Sequence, residues 1–97
     1  MTTEGKVSPL PWTGVLGEVA AERARQDRLW GEQNHDPQDY FAILSEEIGE
    51  VAKEVVEWRF NFEKKKREDR LTFMRHELVQ AAAVAVAMIE AIDRRKR

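Results

Sequence analysis

Hydrophobic and polar positions along the chain fall into three helix-period stretches separated by two breaks. In the first, Val15, Leu16, Val19, Ala20, Arg23 and Leu29 share one broad side at 3.6-residue spacing. Thr13 is placed to cap this helix, which should end near Leu29 or Trp30. "GEQNHDP" breaks the pattern. Asp36 followed by Pro37 then restarts it, because proline suits a first helical turn and aspartate can cap its free amides. The second helix should run from Pro37 to Arg59 or Phe60. "NFEKKKRED" carries no apolar stripe, which places a turn near Asn61 to Lys66 and a third helix over about Arg67 to Arg94. From Leu78 to Ile92 apolar residues occur on nearly every side of that helix. A helix apolar all round is buried all round. Three helices of one small chain cannot cover it, so a second copy is expected to supply the missing surface.

Composition narrows the class. The chain has 97 residues, 42% of them hydrophobic and 35% charged, which fits one globular domain rather than a disordered segment. Residues 1–12, with Pro9 and Pro11 and no periodicity, read as an extended or frayed arm. No proline follows Pro37, which permits long helices. The fold class expected is therefore all-α: a small bundle whose second and third helices form an antiparallel hairpin, completed by oligomerisation as a homodimer or homotetramer. A formal charge of −2 gives no global reason to expect nucleic acid or an anionic membrane as partner. The absence of cysteine excludes a disulfide scaffold, a thiolate zinc site and a cysteine nucleophile, and fits a reducing, cytoplasmic setting. The N-terminus lacks the pattern of a signal peptide. "AAAVAVAMIEAI" comes nearest to a membrane span but is too short and holds Glu90.

The candidate chemistry lies in "LSEEIGEV". At about 100° per residue, with Glu46 at zero, Glu57 falls near 20°, Glu50 near 40°, Glu54 near 80° and Glu47 near 100°. The set Leu44, Ile48, Val51, Ala52 and Val55 lies at roughly 140 to 240° and is expected to face the core. In an antiparallel pair turning near Glu63 and Lys64, facing residues have numbers totalling about 127. That register sets Glu50 against Glu77 and Glu47 against Gln80. Carboxylates converging there at neutral pH call for protonation or for a cation. Hard divalent ions take oxygen ligands, and magnesium typically combines a few carboxylates with waters and substrate phosphates. Ordinary solvated helix charges are the other reading of the same residues.

"SEEIGEVAKEV" followed by "HELVQAAAV" resembles the MazG-like, all-α nucleoside triphosphate pyrophosphohydrolases. Their signature is EExxE, a spacer of a dozen to nearly thirty residues, then ExxD; here 26 residues separate Glu50 from Glu77. "WGEQNHDPQDYFAIL" resembles the stretch that precedes the first acidic motif, so the likeness covers about residues 20–92. It implies Mg²⁺-dependent hydrolysis of a nucleoside triphosphate to the monophosphate and pyrophosphate, with Mn²⁺ a possible substitute. By motif position it implies Glu47, Glu50 and Glu77 as metal ligands. Glu46 would be a further ligand or would activate the attacking water. Trp30 occupies the place of a base-contacting aromatic, or else packs at the helix end. One position departs from the signature. Gln80 stands where aspartate is expected, and an amide oxygen can coordinate magnesium without bringing charge. A non-catalytic module of the same fold is the alternative that this departure favours.

Other candidates are weaker. "HELVQ" is not a zinc-protease HExxH, since Gln80 replaces the second histidine. His35 lies in the loop before the second helix and could contact substrate or form the turn. Lys53 could meet a triphosphate oxygen or pair with Glu50, Glu54 or Glu57. The runs "KKKR" (64–67) and "RRKR" (94–97) read as solvated helix ends. Trp12, Trp58 and Phe60 read as packing or interface residues, and Met74 and Met88 as core.

Overall fold

The computed structural model describes residues 10–95. Over that range the chain forms three helices, α1 (Thr13–Trp30), α2 (Pro37–Phe60) and α3 (Lys64–Arg95), and no strand. Of the arm expected over 1–12, residues 1–9 lie outside the described residues. Pro11 and Trp12 form the turn into α1, held by the Thr13 amide and hydroxyl, which both donate to the Leu10 carbonyl. Thr13 is thus the first helical residue rather than the cap, and its hydroxyl is spent backwards. Asp36 does not cap α2 through its side chain either. Its carboxylate accepts from Arg95 at 2.8 Å, and α2 starts where Pro37 fixes the backbone.

α3 begins three residues earlier than its apolar pattern suggests. The Asn61 side-chain oxygen accepts from the Glu63 amide at 3.1 Å, closing the connection within Asn61–Glu63. The Glu63 carbonyl then accepts from the Arg67 amide at 3.0 Å, so "KKKR" is helical. Positive charge at a helix N-terminus is unfavourable. Lys66–Glu63 (3.4 Å), Lys65–Asp69 (3.9 Å) and Arg67 stacked 4.6 Å over Trp58 offset part of that cost.

α2 and α3 pack along each other in opposite directions, and α1 packs on α3 but not on α2. Glu54 meets Arg70 at 3.3 Å near the connection, and Asp36 meets Arg95 at the far end. Facing pairs total 124 near the connection, at Glu54 and Arg70, and 127 farther along, where Tyr40 packs on Ala87, so the register lies close to the expected one. Glu47 lies near enough to Glu77 to feel its charge, and it lines the same cleft as Gln80. α1 is joined to α3 by Glu18–Arg75 and Arg23–Glu90 ion pairs.

The core is small. Among the described residues Val19, Tyr40, Ala81, Ala83, Val84, Ala87 and Ala91 are the buried apolar ones, and Tyr40 packs on Ala87, Ala91 and Met88. Of the side expected for α1 only Val19 is buried; Val15, Leu16 and Leu29 are exposed. On α2 only one edge of the apolar stripe is covered. Ile48, Ala52 and Val55 are exposed, while Glu47 and Glu54 are half-buried beside Leu44 and Val51. The helix is rotated so that Glu47 and Glu54 are covered together with Tyr40, Leu44 and Val51, and the centre of the stripe is left open. Leu78, Val86 and Ile89 of α3 are exposed as well.

Candidate functional site

α1 stops at Gly31, whose φ of 70° lies in territory that side chains rarely adopt, and whose amide donates to the Asp27 carbonyl at 2.7 Å. The stop turns the chain so that Gly31–Asp36 crosses from α1 to α2 and leaves an open cleft of about 130 Å³ among all three helices. One side of the cleft carries Glu22, Arg25, Gln26 and Trp30 from α1. Glu47 with Tyr40 and Ile43 come from α2, Gln80 and Val84 from α3, and Gly31 and Gln33 from the crossing segment.

Glu47 is the carboxyl at the cleft whose pKa is raised. Burial pushes its pKa up from the usual value, and the neighbouring charges of Glu77, Glu46, Glu50 and Glu22 push it further in the same direction. The acidic groups of both motifs therefore share one neighbourhood, with Glu22 of α1 added to it. Among the described residues, however, no three His, Cys, Asp or Glu side chains are placed to hold a metal ion together. Glu46 and Glu50 are exposed on α2, and Glu77 is half-buried. Glu22 is fixed by a two-pronged pairing with Arg25, both bonds 2.8 Å, and by Gln26 at 3.2 Å. The Arg25 hydrogen bond is the chief reason that the Glu22 pKa is lowered. Two carboxylates bordering one cleft are thus shifted in opposite directions.

The substrate-contact candidates separate. Trp30 lines the cleft and leaves 58% of its surface open. His35 is half-buried, stands edge-on to Tyr40 with ring centres 5.0 Å apart, and lies 3.3 Å from the Gln33 side-chain oxygen; it does not line the cleft. Lys53 is exposed on α2 and does not line it either. Neither makes a contact that favours the substrate role over the plainer one.

Sequence reasoning missed Glu22, Arg25 and Gln26. Their signal was "ERARQ", a polar run on α1 whose Gln26 is only 8% exposed. A buried glutamine marks a polar face turned inward. Arg94 was missed too. The "RRKR" reading is corrected at Arg94, which is half-buried and bound to Gln33 and Asn34, whereas Arg95 is exposed as expected and pairs with Asp36. Tyr40, at 4% exposure, donates its hydroxyl to the Gln33 carbonyl at 2.9 Å. Burial raises its pKa against the lowering pull of Arg23 and Arg94, so it remains a neutral donor.

No family model matches the chain, and neither a curated protein nor a solved structure matches it.

Proposed function

We propose that the protein is a Mg²⁺-dependent nucleoside triphosphate pyrophosphohydrolase of MazG-like type, working as a homodimer or homotetramer. The observation that carries this reading is Glu47. It lies half-buried at an open cleft, within reach of the charge of Glu77, with a pKa raised by burial and by acidic residues from α1, α2 and α3. Such a concentration of negative charge beside Gln80 offers oxygen donors of the hard type that magnesium or manganese prefers. Glu47, Glu50 and Glu77, with the Gln80 amide oxygen, are the residues that would hold the ion. A bound divalent ion supplies charge neutralisation for the phosphates and a more acidic water.

The chain's own residues do the rest in this reading. Trp30 presents an open aromatic face against which a base can stack. Arg25 brings a guanidinium to the cleft, a group suited to phosphate oxygens. Glu46 accepts the proton of a water attacking the α-phosphorus. The new P–O bond forms as the bond to the bridging oxygen breaks, and pyrophosphate leaves.

The test is release of pyrophosphate from a panel of canonical and modified nucleoside triphosphates, with and without Mg²⁺. The expected outcome is metal-dependent turnover on at least one, reduced about a hundredfold or more in Glu77→Gln. No turnover on any substrate, together with no calorimetric heat from Mg²⁺ or Mn²⁺, would sink it. A second reading is a non-catalytic helical module of the same fold. It is favoured by the amide at Gln80 and by the absence of a three-residue ligand group among the described residues.

A further inference from the structure

The segment Gly31–Asp36 lends Gly31 and Gln33 to one wall of the cleft, and two helices fix its place at a single atom. The Gln33 carbonyl accepts from the Tyr40 hydroxyl at 2.9 Å and from Arg94 Nη2 at 3.0 Å. Both lone pairs of that oxygen are therefore used. Arg94 Nε donates to Asn34 Oδ1 at 2.6 Å and lies 3.7 Å from Glu32 Oε1. One guanidinium in the last turn of α3 thus holds three successive loop residues, a task its planar fork performs and an ammonium cannot. Its side chain is only 20% exposed, so these bonds are partly shielded from water. Arg95, the next residue, makes an exposed pair with Asp36 and nothing comparable. Arg94 itself does not line the cleft, whereas Trp30, Gly31, Gln33 and Tyr40 do.

We infer that Arg94 is a positioning residue, which holds the Gln33 carbonyl and through it the Trp30–Gln33 wall at the separation where the cleft accepts its ligand. Affinity is thereby set from the C-terminal turn of α3, away from the carboxylates. The inference rests on reading the cleft as a nucleotide site. A wall that wanders must be re-ordered each time a ligand binds, which weakens binding and leaves the reacting groups untouched.

Arg94→Ala should raise KM about tenfold while kcat stays within about twofold, the pattern of lost uniform binding. Amide hydrogen exchange of Gly31–Asp36 should speed up in the same variant, with the helices still protected. Arg94→Lys keeps the charge but cannot span Gln33 and Asn34, so it should restore only part of the affinity. Tyr40→Phe removes the other donor to the same oxygen. With Arg94→Ala it should raise KM beyond the product of the single effects, because each single variant leaves one bond in place. Arg95→Ala should leave KM unchanged. An unmoved KM in Arg94→Ala, a fall in kcat alone, or an equal effect of Arg95→Ala would overturn the assignment. If the wild type neither hydrolyses nor binds any nucleoside triphosphate, the functional reading fails separately. Exchange then decides the clamp: loss of Gly31–Asp36 protection in Arg94→Ala but not in Arg95→Ala upholds it, and equal protection overturns it.

Discussion

Glu47 shows what one residue contributes when fold and function pull in opposite directions. Its pKa is raised in the folded chain by burial first and then by Glu77, Glu46, Glu50 and Glu22. A carboxyl with a raised folded pKa binds its proton more tightly folded than unfolded. Stability is therefore lost as pH rises through the interval between the ordinary carboxylate value and the folded one. At neutral pH the ionised group costs stability. Glu47→Gln is expected to raise the melting temperature at pH 7, with the gain over wild type shrinking to nothing as pH falls below the ordinary carboxylate range. Thermal unfolding followed across pH 3 to 8 checks this. The same substitution should abolish any rise in melting temperature that Mg²⁺ gives the wild type, since a ligand stabilises only what binds it. A variant that is less stable at pH 7 would mean that Glu47 is held by favourable contacts after all. "LSEEIGEV" made these acids conspicuous in the sequence. The helical wheel set Glu47 and Glu54 at the border of the apolar side, and those two are half-buried while Glu46 and Glu57 are exposed. What it could not show is that Ile48, Ala52 and Val55 stay open.

Helix limits were legible where local chemistry sets them. Pro37 and Gly31 mark ends through fixed or permissive backbone angles, and both ends fall where those residues stand. The start of α3 was not legible. It depends on the Asn61 side chain closing a three-residue turn, and "KKKR" has no apolar stripe to reveal the helix. The earlier start of α3 leaves the two acidic motifs side by side: Glu47 feels the charge of Glu77 and borders the same cleft as Gln80. At Gly31 the consequence can be measured. Nothing lies within 4 Å of where a Cβ would sit, so packing does not demand glycine; the φ of 70° with ψ of −172° does. Gly31→Ala should cost on the order of 1–3 kcal/mol from backbone strain alone. Chemical denaturation reads that loss directly. An unchanged midpoint would mean that the crossing segment relaxes freely, which its bonds to Tyr40 and Arg94 argue against.

The whole molecule poses one outstanding question, which is what covers its apolar surface. Phe41, Ile48 and Val55 of α2 recur every seven residues and are all exposed, with exposed Ala42, Ser45, Gly49, Ala52 and Val56 alongside and no charge among them. Leu71, Leu78, Ala85 and Ile89 form a similar stripe on α3, all but Ala85 exposed. In the antiparallel pairing Phe41 is level with Ala85, Ile48 with Leu78 and Val55 with Leu71, each pair totalling 126. Helical geometry puts both stripes on the side of the α2–α3 layer away from α1 and the acidic residues. A surface apolar at matched levels on two helices suits a two-fold copy of itself, which would complete a four-helix bundle. The core within one chain is small, so covering this face in an assembly would add apolar burial that the single chain lacks. The absence of cysteine makes the test clean. Ala52→Cys should be joined into covalent dimers by a short bis-maleimide, whereas Glu57→Cys, on the opposite side of the same helix, should remain monomeric under identical treatment. Ile48→Asp should shift the sedimenting mass from dimer or tetramer toward monomer, because an isologous face brings such charges close together. A wild-type chain that sediments as a stable monomer, or cross-linking through Glu57→Cys but not Ala52→Cys, would assign this face to another occupant.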